Sequence, residues 1–395
     1  MSRRLMGRAG LWLLGGLLVL GGLALALGGF NRMSLRSPAM APGTDESTAF
    51  ATGEFEHYFN DRELADLGLA DEVDPANVRY RSGLAKEKFS PGCAGKDCIL
   101  SIDDPSFVPA DEADSWLSGR HRVISIDDDG SARAYPFGIL NYHEVVNDRI
   151  EETPVTVTYC PLCRSALVFV RPTYESNRLT FGVAGRLYRD NLILYDRQTG
   201  TYWSQLQARP IVGPLVGRGL TLERRAMDVM RWADWRAQYP NGQVLARPED
   251  GDALGGRDAY TRPAVPSGMA RDRGGSSGSY LFDYQTDPYA DYVADPQARA
   301  ADFEDDRLAS KAVVIGIEME SGPSVAVPAD RLDRDETLQL PVDGHTVALT
   351  RSESGEIRAD TERASGERLE LSTTTAYWFA WLAFHPDTVL HKDTP

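Results

Sequence analysis

The sequence predicts an α+β, β-rich fold: short antiparallel strands with a few helices, a suspected internal pseudo-duplication, and one N-terminal transmembrane helix. Three observations predict it. Apolar residues alternate in runs of four to six around Asp-Gly and Pro turns, the pattern of half-buried strands. An uncharged apolar run fills positions 10–29. A Pro-to-Leu spacing at 136–140 returns at 328–332.

In chain order, Met1 to Ala9 carry Arg3, Arg4 and Arg8 and no acid, and the run Gly10 to Gly29 comes next. About twenty apolar residues at 1.5 Å each cross the ~30 Å hydrocarbon layer. Arginines before the run favour export of the chain beyond it. Ala24-Leu25-Ala26 has the small-x-small pattern of a cleavage site, but the run exceeds the usual h-region of about 7–15 residues. A retained anchor leaves a single-pass protein with its large domain on the extracytoplasmic, periplasmic side. A cleaved signal leaves it secreted. Residues 31–94 are rich in Pro, Gly, Ser, Asp and Glu and read as a stalk and irregular lead-in. The β-rich domain is expected over 95–390.

Val123-Ile-Ser-Ile126, the turn Asp127-Asp-Asp-Gly130 and Ala132-Arg-Ala-Tyr135 predict a hairpin. Val155 to Tyr159, Ala166 to Val170 and Leu192 to Tyr195 predict further strands, with Asn147-Asp148 as a hairpin tip. Asp196 to Gln205 reads as an Asx turn feeding an aromatic strand with Trp203 in the core. Arg225 to Tyr239 reads as a helix stopped by Pro240-Asn-Gly242, and 248–278 as a long surface loop. Val314-Ile-Gly-Ile317, Val325-Ala-Val-Pro328 and Leu332 echo Val123 to Leu140, so two copies are expected near 120–245 and 310–388.

Net charge is −16, and removing the first thirty residues, with their three arginines and no acid, takes it to −19. A domain this acidic repels phosphate backbones, which argues against nucleic acid as a partner. The membrane is the partner expected through the N-terminal helix. A small molecule or a protein partner stays open.

Chemistry concentrates at four cysteines. Cys93 and Cys98 lie in a flexible loop able to close a local disulfide. Cys160-Pro161-Leu162-Cys163 lies between two expected strands. Strand alternation puts i and i+3 on opposite faces, so only a turn, with φ preset by Pro161, brings both sulfurs to one side. Three readings compete. In the first, Cys160 and Cys163 hold zinc or copper with His143 as third ligand. In the second they are a redox dithiol, without the helix N-terminus that stabilises thioredoxin-type thiolates and with Arg164 as partial substitute. In the third they belong to a disulfide-stapled structural or interaction module. A soft-metal binding or accessory protein is the expectation, and no reaction is specified. Glu144, Asn147, Asp148, Tyr159, Arg164, Tyr188, Asn191, Asp196, Trp203 and Gln205 are the expected pocket lining. Gly182-Val-Ala-Gly185 looks like half of a dinucleotide loop, but no phosphate-binding helix comes after it.

Several of these stretches together resemble the bacterial and archaeal domain-of-unknown-function family 3179. They are Asn141 to Asp148, Val157 to Cys163, Phe181 to Gly185 with Asn191, Tyr195 to Gly200, Trp203 to Gln205, and Trp378 to Thr388. The resemblance implies an exported or anchored protein and no established activity. Where members read Asp-Gly-Ile-Pro this chain has Asp97-Cys-Ile-Leu100, which separates Cys98 from any shared site and supports a local staple with Cys93.

Overall fold

The computed structural model describes residues 55–58, 79–81, 84, 88–93, 95–128, 131–248, 284, 287–296, 304–319, 323–353, 355–363 and 365–392, all within one compact unit, 43–395. The apolar run at 10–29, most of the stalk, the tip of the Asp127–Gly130 turn and nearly all of the loop at 248–278 lie outside the described residues. The observed fold is β-rich, with several antiparallel sheets and few helices.

The lead-in is more regular than its composition suggests. It supplies β1 (Phe55–Tyr58), β2 (Arg79–Arg81) and β3 (Phe89–Pro91); beyond it, the main domain opens with β4 (Phe107–Pro109) and a one-turn helix α1 (Ala110–Ala113). The expected hairpin forms as β5 (Arg122–Asp128) and β6 (Ser131–Pro136). Pro136 then starts helix α2 (Phe137–His143), placing its fixed φ where no intrahelical N–H is needed. An antiparallel meander comes next: β7 (Val145–Ile150), β8 (Thr153–Cys160) and β9 (Ser165–Val170). Asn147 and Asp148 lie inside β7, and the tip is Glu151-Glu152, because Ile150 pairs with Thr153.

The chain continues through β10 (Thr173–Tyr174), β11 (Asn177–Arg178), β12 (Phe181–Tyr188), β13 (Asn191–Asp196), β14 (Tyr202–Ser204) and β15 (Arg209–Val212). β12 to β15 build a seven-stranded sheet with the lead-in, in the order β1-β2-β15-β14-β13-β12-β3. The chain then returns through β16 (Glu223–Arg225), which pairs with β9, and β17 (Asp228–Arg231), which pairs with β5. The helix expected from Arg225 is therefore confined to α3 (Trp232–Gln238). Edge pairing with two waiting strands overrides the local pattern of methionines among charges. β18 (Gln243–Leu245) closes this half, parallel to β6.

After helix α4 (Ala290–Ala294) come β19 (Val313–Ile317), β20 (Val325–Pro328), a 3-10 turn at Ala329–Arg331, and the meander β21 (Glu336–Val342), β22 (His345–Arg351), β23 (Ile357–Glu362) and β24 (Arg368–Leu371). β25 (Thr373–Tyr377), α5 (Trp378–Phe384) and β26 (Val389–Leu390) end the fold. The two halves share strand order. β17-β5-β6-β18 corresponds to β25-β19-β20-β26, and β7-β8-β9-β16 corresponds to β21-β22-β23-β24. Register agrees as well: Val123 opposes Pro136 and Met230, as Val314 opposes Pro328 and Ala376. Each half buries a Trp-x-x-Trp helix against its hairpin, Trp232 with Trp235 and Trp378 with Trp381. The difference lies between β9 and β16, where the first half carries β10 to β15 and the second has only the short link from β23 to β24.

Candidate functional site

The inserted sheet packs against the turn between β8 and β9, and the four residues of that turn are Pro161 to Arg164. Cys163 N donates to Cys160 O at 3.2 Å, and Arg164 closes the reversal in the left-handed region at φ 54°. The turn required by the cysteine spacing is thus present. Cys160 and Cys163 are free, buried thiols. Burial, and then the neighbouring sulfur, push the Cys160 thiol well above its ordinary value.

Around Cys163 the insert and the two strands flanking the turn together build a buried polar network. The Cys163 thiol donates to the Asp190 carbonyl at 3.1 Å and accepts from Asn191 Nδ2 at 3.3 Å. Asn191 Nδ2 also reaches Gln205 Oε1 at 2.9 Å, and Ser165 Oγ donates to the same oxygen at 2.7 Å. Gln205 Nε2 donates to Thr158 Oγ1 at 2.9 Å. Thr158, Ser165, Asn191 and Gln205 are all buried. Every partner is satisfied, which is what makes such a polar cluster tolerable in an apolar surround.

On the Cys160 side stands Glu144, the C-cap of α2, buried and held at φ 58°. Burial, together with the nearby Cys160, raises its carboxyl well above the usual range. Tyr289 Oη donates to Glu144 Oε1 at 3.4 Å, and Tyr292 Oη donates to the Leu162 carbonyl at 2.7 Å. These tyrosines lay the segment 287–296 across the cysteine turn. A recess of about 340 Å³ opens beside it, walled by Tyr159, Pro161, Arg164, Asn141 and Tyr289.

His143 is placed otherwise than the metal reading requires. It is buried, its Nδ1 lies 2.8 Å from the Leu100 carbonyl and its Nε2 2.8 Å from Tyr284 Oη. A carbonyl only accepts, so Nδ1 carries the proton, and in the neutral ring Nε2 accepts from the tyrosine. Both nitrogens are engaged, so the imidazole offers no ligand to the sulfurs. Among the described residues no group of three or more His, Cys, Asp or Glu side chains is arranged to hold a metal ion.

Of the expected lining, Glu144, Tyr159, Arg164, Asn191 and Gln205 gather at the cysteine turn. The other five are set elsewhere. Asn147 bridges Asp103 and the backbone of Phe181. Asp148 accepts from Tyr135 at 2.5 Å and Arg133 at 2.6 Å. Asp196 caps its own turn through Thr199 N and accepts from Trp203 Nε1 at 2.9 Å, which puts Trp203 in the core. Tyr188 packs on Phe89. Cys93 and Cys98 stand at disulfide-bonding distance. Their loop docks on β12 through Gly92 N and Cys93 N, both donating to Gly185 O. Gly185, at φ 75°, is approached so closely by Gly95 that a side chain has no room, so these glycines serve backbone packing.

Sequence reasoning missed Thr158, Ser165 and Tyr289. Thr158 and Ser165 each sit within two residues of a cysteine, and strand alternation around the turn was a usable signal. Tyr289 arrives from more than a hundred residues away and carried none.

A family model described as "Protein of unknown function (DUF3179)" matches residues 96–374. No curated protein and no solved structure matches the chain.

Proposed function

Because the chain belongs to the DUF3179 family, whose description names no activity, we propose a function from the site itself: a thiol–disulfide oxidoreductase centred on Cys160 and Cys163, exported and tethered to a membrane. Export and tethering are supported by the arginine-flanked apolar run at 10–29. The observation that carries the thiol reading is the buried network of Asn191, Ser165, Gln205 and Thr158 built around Cys163. A cysteine serving only as a small core hydrophobe needs no such network, and buried polar groups cost stability wherever their hydrogen bonds are imperfect.

In this reading Cys163 is the nucleophile, because the Asn191 amide is aimed at its sulfur and supports negative charge developing there. Cys163 loses its proton and attacks one sulfur of a partner disulfide, forming a mixed disulfide while the partner's other sulfur leaves as a thiol. Cys160 then attacks Cys163, closing the Cys160–Cys163 bond and releasing the partner as a dithiol. Two electrons and two protons pass to the partner, and the pair is oxidised. Glu144, beside Cys160, is the group able to exchange a proton with it. Access to the sulfurs requires the 287–296 segment to lift, since Tyr292 is bonded over the turn.

The test equilibrates the purified protein with glutathione buffers of stepped potential, quenches with acid and maps the thiols by mass. Cys160 and Cys163 are expected to close and reopen reversibly as one two-electron couple. Cys163→Ser is expected to abolish turnover of a disulfide substrate, and Tyr292→Phe to speed thiol modification by loosening the cover. A pair that stays reduced at every potential, or full turnover by Cys163→Ser, overturns the reading.

A further inference from the structure

At the seam between the two halves, this acidic chain gathers arginines. A cavity of about 490 Å³ is lined by Arg122 at the start of β5, Arg164 from the cysteine turn, Arg351 at the end of β22, and the single carboxylate Asp330, with Phe137 and Val313 as apolar wall. The 340 Å³ recess adjoins it, sharing Arg122 and Arg164 and adding Arg120, His121 and Asp287. A third hollow of about 490 Å³ shares Arg122 and Arg351 and adds Arg231, Arg334 and Asp333. The connected cleft therefore holds six arginines against three aspartates, in a chain whose net charge is −16.

The internal ion pairs do not neutralise it. Arg231 and Arg334 both bond Asp234. Among the described residues no carboxylate lies within ion-pair range of Arg122 or Arg164, and Arg164 has only the ring of Tyr377 beneath it at 5.9 Å. Arg351 gives one Nη to the Leu332 carbonyl at 3.1 Å, while its buried Nε has no partner. Burial, and then Arg164, Arg351 and Arg231, press the Arg122 guanidinium below its ordinary value. Burial and then the guanidiniums of Arg334 and Arg231 do the same to Arg351. Like charges held together in a partly dry cleft destabilise the fold unless an anion joins them.

We infer that this cleft is a binding site for a multiply charged organic anion, a phosphate ester or polycarboxylate with an apolar body, held by Arg122, Arg164 and Arg351. The guanidinium fork matches the paired oxygens of both anion types, the wall of Phe137 and Val313 suits the carbon skeleton, and the volume is that of a small-molecule site. The inference is independent of the thiol reading, because binding needs neither sulfur.

Pyrophosphate and citrate serve as probes, with potassium chloride at matched ionic strength as control, read by calorimetric titration and by thermal shift on the whole protein. Saturable binding and a dose-dependent rise in melting temperature are expected, weakening as salt is added. Arg122→Gln is expected to lower affinity at least tenfold yet raise the melting temperature of the ligand-free protein, because it removes a repelled charge. A variant that merely misfolds moves that temperature the other way. Arg368→Gln, at the start of β24 and bonded to Asp360, lines none of these hollows and should bind as the parent does, and so should Cys163→Ser. Absence of saturable binding by both probes, or unchanged affinity in Arg122→Gln and Arg164→Gln alike, overturns the inference.

Discussion

At the scale of single residues, the cost of the site is most visible at Glu144. Its carboxyl is buried and raised well above the usual range, first by burial and then by Cys160. In the unfolded chain a glutamate ionises near pH ~4.3. Below that pH both states hold the proton and Glu144 does not tilt the balance. As pH rises above it, the unfolded state releases a proton that the folded state keeps, so stability falls with pH until the folded carboxyl ionises as well. Glu144→Gln keeps the shape and removes the titration. The variant is expected to melt higher than the parent at pH 7, with the difference shrinking towards nothing near pH 4, as tracked by thermal melts across that range. Equal melting at neutral pH would show that the carboxyl is not held neutral by its surroundings. Legibility was uneven at this scale. Cys160 and Cys163 could be read because Pro161 announces its own turn. The surroundings of His143 could not, since the partner of its Nε2 is Tyr284, distant in sequence.

At the scale of elements, β8, β9 and β13 were read to within a residue or two, because each is a short run rich in β-branched, aliphatic and aromatic residues bounded by turns. β16 and β17 were hidden, since three- and four-residue strands show little period and owe their form to the strands they join. The repeated hairpin sharpens the point through one pair of equivalent positions. In β5, Ser125 Oγ accepts from Trp235 Nε1 at 2.9 Å. In β19 the same register position is Gly316, against which Trp381 lies so flat that an added Cβ would stand 2.3 Å from the ring. Ser125→Ala therefore removes one buried hydrogen bond, a loss of about 1–3 kcal/mol. Gly316→Ala forces a buried indole out of place and is expected to cost more than Ser125→Ala, with overpacking alone typically about 1–3 kcal/mol or more. Urea melts of the two variants check the order. Were Gly316→Ala the milder change, the flat stacking of Trp381 on β19 would not be what orders that half.

At the scale of the whole molecule, the sequence showed an echo but not its extent. Only the hairpin and its Pro-to-Leu spacing were legible. The meanders that complete each half differ in sequence, and the first is interrupted by β10 to β15, which lengthen that half and obscure the shared strand order. The insert also supplies Asn191 and Gln205 to the network around Cys163, which β8 and β9 complete with Thr158 and Ser165, so the second half, with no cysteine in its sequence, has the scaffold without the site. Shared strand order does not make the halves independent. One core joins Val145, Cys160 and Phe169 of the first meander, Phe181, Leu192 and Trp203 of the insert, and Tyr377, Phe379 and Ala380 of the second half. Tyr377 N donates to the Cys163 carbonyl at 2.8 Å, Ile357 N to Asp228 Oδ1 at 2.9 Å, and Arg224 pairs with Glu318 at 2.6 Å. Cutting the chain between the halves exposes the apolar faces of both and leaves backbone donors without partners. Scanning calorimetry is expected to show a single transition whose calorimetric and van't Hoff enthalpies agree. Fragments 95–248 and 304–392, expressed separately, are expected to lack fixed tertiary structure by near-ultraviolet dichroism. Two resolved transitions, or a fragment that folds alone with its own cooperative melt, would mean that the seam is an interface between domains and not the interior of one.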